Sequence, residues 1–152
     1  MIIKLIRLAI IIVFSTGTFN FIQAQVTAKN ANPKLLKCYS KGLSLAKQGQ
    51  HEDALKIFNK AIKKESNFID AYIQKAIALD KLERFQDAES NFEKAIAIDP
   101  NYDPRVYYAL AETEWEQGKF NEAKLHYEQF MASKPKTSGL TKRHWVFHSW
   151  NN

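Results

Sequence analysis

Cysteine is almost missing from this chain: Cys38 stands alone among 152 residues, so no disulfide can close within it. It lies 14 residues past the apolar leader described below, too far on to be a lipid-attachment cysteine, and reads as a buried apolar residue of a helix. Glycine is scarce as well. The five glycines fall at turns, in the leader, or singly at Gly42, and none belongs to a glycine-rich loop that could cradle a phosphate. Serine in a nucleophile context is absent. His51-Glu52-Asp53 opens like a zinc-protease motif but lacks the second histidine at helical spacing, and reads instead as the capping turn of a helix. His144 and His148 could share one helix face, yet no carboxylate or cysteine near them completes a metal site. No catalytic group, metal or cofactor is therefore expected, because activity has to be argued from convergent residues.

A concentration of one charge is also lacking. The 22 Lys and Arg are interleaved with 16 Asp and Glu, which is not the basic stripe that nucleic acid requires. With 45% apolar and 25% charged residues, the chain has the composition of one ordinary globular domain, with enough apolar surface for a core. Long apolar runs are limited to Leu8–Phe14, which follows Lys4 and Arg7 and leads to Phe21-Ile22-Gln23-Ala24. This is the layout of a secretory signal peptide, residues 1–24, cleaved after Ala24. A membrane span takes about 20 mainly apolar residues. Ser15, Thr16, Gly17, Thr18 and Asn20 interrupt the run first, so no stable span is expected after cleavage. The expected location is the periplasm, the outer-membrane region or the exterior. Loss of the leader would leave 20 basic against 16 acidic residues, a mild excess.

What the chain does contain is a repeat. Phe58-Asn-Lys-Ala61-Ile62 returns 34 positions later as Phe92-Glu-Lys-Ala95-Ile96, and Phe68 pairs with Tyr102 at the same distance. Ala54 maps onto Ala88, and Tyr39 onto Ile73. A third copy follows at 35: Ala88 with Ala123, Phe92 with Tyr127, Pro100 with Pro135. The extra residue falls between Pro100 and Val106, most simply in the turn ending at Pro104. Each unit has two stretches with apolar residues at three- and four-residue spacing. Short polar turns join them: Lys47-Gln-Gly-Gln50, Lys81-Leu-Glu-Arg84 and Gln117-Gly-Lys119. These predict three antiparallel helix pairs. Asn32-Pro33 is expected to cap and start the first helix, and Asp103-Pro104 the fifth.

This pattern resembles the tetratricopeptide repeat family, over residues 35–137. The family's small residue in the first helix matches Gly42, Ala76 and Ala111; its alanine in the second matches Ala54, Ala88 and Ala123. Its second-helix aromatic matches Phe58, Phe92 and Tyr127, and its closing proline matches Pro100 and Pro135, with Ser66 in the first unit. The resemblance implies an all-α, right-handed solenoid with repeats at 35–68, 69–102 and 104–137, preceded by a linker over 25–34. It further implies that first helices line a concave groove for an extended peptide or a partner helix. Carried across residue by residue, the groove positions are Tyr39, Leu43 and Lys47; Ile73, Gln74, Ile77 and Lys81; and Tyr108, Glu112 and Trp115. The subtype that clamps a terminal carboxylate has basic and amide residues at several of these places. Here they are mostly apolar or aromatic, so a hydrophobic peptide or amphipathic helix is the expected partner, with Tyr39, Tyr108 and Trp115 as anchors. Leu43, Ile73 and Ile77 read equally as packing between adjacent first helices.

Residues 138–152 depart from the pattern. They hold two of the three tryptophans, two of the four histidines and no acid, unlike the polar-faced capping helix that usually ends such arrays. Phe130 stands where earlier repeats have Ala61 and Ala95, leaving a bulky apolar end that Phe147 or Trp150 could cover. A second reading remains open. Signal peptide followed by three repeats resembles the amino-terminal part of exported envelope proteins that go on to a peptidoglycan-binding domain similar to outer-membrane protein A. In that reading the repeats are an assembly module of a shortened chain.

Overall fold

The computed structural model describes residues 25–133; the leader, Pro135, His144, His148 and the aromatic tail lie outside the described residues. Six helices follow in order: α1 (Pro33–Lys47), α2 (His51–Lys64), α3 (Ile69–Asp80), α4 (Phe85–Ile98), α5 (Arg105–Glu116) and α6 (Phe120–Ser133). They pack as three stacked pairs, α1 on α2, α3 on α4 and α5 on α6, with α2 meeting α3 and α4 meeting α5. The first helices also touch one another, α1 to α3 and α3 to α5, and no comparable contact joins α2 to α4 or α4 to α6. The stack therefore closes on the α1–α3–α5 side.

Local chemistry explains the boundaries. Asn32 accepts the Leu35 N–H on its side chain at 2.9 Å, and Pro33 occupies the tolerated first turn. At the fifth helix Pro104 already has helical angles, and Asp103 Oδ1 accepts the Arg105 N–H at 3.0 Å. Helix α2 begins at His51, but His51-Glu52-Asp53 supplies no cap: the preceding Gln50 makes no side-chain bond to the helix. Glu52 and Asp53 at its start and Lys63 and Lys64 at its end favour the helix through its dipole instead. Gly49 and Gly118 terminate the first helices of repeats 1 and 3 with φ +76°. In repeat 2 the same place is held by Glu83, at φ 57°.

The registered alanines Ala54, Ala88 and Ala123 are fully buried, as are Ala76 and Ala111. Small residues here let two helices approach until the ring one turn along, Phe58, Phe92 or Tyr127, fills the remaining space. Cys38 is half-buried on α1, its thiol pointing to the Ile57 carbonyl at 3.9 Å. Phe130 is buried within its own repeat, 5.1 Å from the Tyr108 ring and 6.3 Å from Tyr127. Residues 25–31, expected to link leader and first helix, are themselves packed: Val26 forms a parallel bridge with Phe68, and Thr27 is buried.

A candidate peptide-binding groove

Helices α1 and α3, and α3 and α5, touch along the stack, and nine of the ten expected groove residues on these helices are exposed or half-buried. Ile77 is 37% exposed in the last turn of α3. Lys47 and Lys81 are exposed at the C-terminal ends of their helices, with Lys81 Nζ 3.9 Å from Asp80. Leu43, Ile73, Gln74, Tyr108, Glu112 and Trp115 are half-buried. Four of these also pack against buried clusters, Leu43 and Ile73 on that of repeats 1 and 2 and Tyr108 and Trp115 on that of repeat 3, so they serve the core while showing an edge. The Tyr108 hydroxyl donates to Glu112 Oε1 at 2.9 Å, one helical turn along, which fixes both side chains. Trp115 meets Phe120 edge-on, ring centroids 4.8 Å apart, and Phe120 is 41% exposed.

Tyr39 is the exception. It is 5% exposed, with its ring 5.1 Å from Phe68 and 6.0 Å from Phe58, and it belongs to the core rather than to a ligand surface. Its hydroxyl is held protonated, far above the ordinary tyrosine range, by burial first and then by the charge of Asp70. Asp70, on the first turn of α3, had no signal as a site residue. It accepts the Tyr102 hydroxyl at 2.9 and 3.0 Å and the Ala28 N–H at 2.6 Å. The Tyr102 hydroxyl is pushed up to about 12, mainly by burial and then by its bond to Asp70. An aspartate opening a helix reads as an ordinary dipole partner, and nothing local marks the long-range bonds it makes.

A second polar group missed by sequence reasoning joins repeats 2 and 3. Glu89 of α4 accepts from Lys119 Nζ at 2.6 Å and from Gln117 Nε2 at 2.7 Å, while Thr113 donates to Asp80 at 3.1 Å. Glu114, 2% exposed, pairs with His126 Nδ1 at 2.8 Å. Among the described residues no three His, Cys, Asp or Glu side chains come together as a metal site, and no helix is long and apolar enough to cross a membrane.

A stack of helical hairpins with an apolar inner face defines a repeat-type scaffold. Tetratricopeptide repeat profiles match residues 39–67, 69–102 and 104–137, and the chain belongs to the tetratricopeptide repeat family. It is 35% identical over 69 residues to the uncharacterized protein MJ0572 of Methanocaldococcus jannaschii, a stretch that makes up 45% of this chain and 80% of that protein. Among solved structures it is similar to SycD, a type III secretion chaperone of Yersinia enterocolitica, in complex with a peptide of the translocator YopD. That match has a TM-score of 0.71 at 18% identity and covers 80% of this chain and 95% of SycD. It is likewise similar to the first repeat domain of Spaghetti (RPAP3) bound to an HSP90 peptide, with a TM-score of 0.70, 22% identity and coverage of 84% and 95%. At these identities the structural matches establish the fold.

Proposed function

We propose that the chain is an exported, non-catalytic binding module that holds an extended peptide or partner helix on its α1–α3–α5 face, in the periplasm, at the envelope or outside the cell. The observation that carries the reading is Ile77: a large aliphatic side chain 37% exposed on α3, one turn after half-buried Ile73, with half-buried Tyr108 and Trp115 on α5, the next first helix. An exposed apolar strip with rigid aromatic edges suits an interface. The peptide complexes of SycD and of the RPAP3 domain, which share the fold, support it. Export rests on the leader over residues 1–24.

The test is capture from periplasmic and envelope fractions by the chain from Gln25 onward, comparing wild type with Ile77→Asp. A carboxylate at that place should lower retention of the specific partner about tenfold or more, the scale of one lost hot-spot contact. Helicity by circular dichroism should not change. Equal retention by the variant would remove the groove as the binding site.

A further inference from the structure

Part of the buried cluster that includes Tyr39 is covered by the chain's own residues 25–31. Residues 25–31 lie along the junction of repeats 1 and 2. The Val26 N–H donates to the Asn67 carbonyl at 3.2 Å, and the Val26 carbonyl accepts the Ile69 N–H at 3.0 Å, a parallel bridge around Phe68. The Ala28 N–H then donates to Asp70 Oδ2 at 2.6 Å. Only Val26 pairs as a strand does; residues 28–30 turn, the Asn30 and Ala31 N–H groups donating to the Thr27 carbonyl, and Val26, Ala28 and Ala31 pack against the buried cluster to which Tyr39 and Phe68 belong. Asn30 ends the run, accepting the Thr27 N–H at 2.6 Å and turning the chain toward α1.

Most of the polar groups that hold this segment act on its main chain, and the buried Thr27 adds a side-chain hydrogen bond to Tyr102. A backbone carbonyl, a backbone N–H and a carboxylate recognise main chain whatever its side chains, while the apolar cluster selects a β-branched aliphatic followed two positions later by a small residue. We propose that residues 25–31 are a ligand in cis: the edge from Asn67 to Asp70 is a strand-accepting site at the head of the groove. A partner segment that pairs as Val26 does, turns after it and carries the Val-x-Ala pattern binds there by displacing them. Two strands cannot share it, because the Ile69 N–H is a single donor. Displacement uncovers part of the apolar cluster at the repeat 1 end of the groove, beside the area that Leu43 and Lys47 already offer. This inference rests on the groove reading and names the ligand class and regulation of its first-repeat end.

The probe is a synthetic peptide with the sequence of residues 25–31, titrated into the isotope-labelled chain and followed at the Ile69 amide. A tethered segment competes at an effective concentration on the order of millimolar, so wild type should leave the probe unbound below that level. Two variants release the segment: Ala28→Pro removes the N–H that Asp70 accepts, and Val26→Asp sets a charge against the apolar cluster. In both, the Ile69 amide should lose protection from hydrogen exchange, and the probe should then shift it saturably, at least roughly tenfold more tightly than in wild type. The proposal is overturned if, with helicity intact, Ile69 stays protected in both variants, or if the probe shifts wild type as readily as the variants, or shifts neither. Dimerisation through exchanged segments, seen by light scattering, would also overturn it. Ile77→Asp tests the groove away from this edge, so a null result here with a loss there removes only the role of residues 25–31.

Discussion

A methyl group added at Gly42 would stand 2.6 Å from the Phe58 ring, and Phe58 is fully buried and cannot swing aside. Gly42→Ala should therefore destabilise the protein by about 1–2 kcal/mol, since overpacking costs more than the gain of about 1 kcal/mol from alanine's helix preference. A lower urea midpoint at unchanged slope would be the sign. Glu83 sits in the opposite situation. It adopts the left-handed conformation that Gly49 and Gly118 supply at the same turn of the other repeats, so Glu83→Gly should stabilise by about 0.5–1 kcal/mol in the same assay. The sequence makes the register of small residues plain, because Gly42, Ala76 and Ala111 repeat with Ala54, Ala88 and Ala123. It does not show that only the first needs glycine: that depends on how closely one ring approaches, a sub-ångström matter of packing.

Helices α5 and α6 are joined by a buried ion pair whose strength depends on protonation. The hydrogen bond to Glu114 raises the His126 pKa above its ordinary value; burial opposes this, and the charges of Glu114, Glu93 and Glu89 reinforce it. A raised folded-state value means that the contribution is fully present below the unfolded value of about 6.5 and is lost as pH rises through the folded value. Urea midpoints should therefore fall from pH 6 upward through that window, and His126→Gln should flatten this slope while lowering stability at pH 6. An unchanged slope would assign the pH dependence elsewhere. At this scale the turns were legible, since short polar stretches, two of the three with a glycine, punctuate the apolar period. The pairing was not: Glu114 reads as a surface acid of α5, and only the approach of α6 brings His126 to it. Residues 25–31 were illegible for the same reason, because their partners Asn67, Ile69 and Asp70 are set by the stacking of two repeats.

Across the whole stack the buried apolar residues fall into two clusters. One runs from Leu35 through repeats 1 and 2 to Val106 and Leu110; the other, Ala111, Ala123, Tyr127 and Phe130, belongs to repeat 3. Their junction carries polar ties as well, Thr113 to Asp80 and Lys119 and Gln117 to Glu89. In an array stabilised by nearest-neighbour interfaces, damage at an end should stay local, while damage at the centre should spread. Ala88→Leu and Ala123→Leu insert the same bulk at equivalent buried places, each costing on the order of 1–3 kcal/mol. Hydrogen exchange should separate them. Ala123→Leu should speed exchange in α5 and α6 and leave α1 to α3 close to wild type, whereas Ala88→Leu, set in α4 between its neighbours, should speed exchange in all six helices. With about three repeats the minimum for a stable stack, uniform loss of protection in both variants would mean that the repeats unfold as one unit despite the divided core. A local loss at α5–α6 would mean that the half of the groove carrying Tyr108 and Trp115 can open while the half closed by residues 25–31 stays folded.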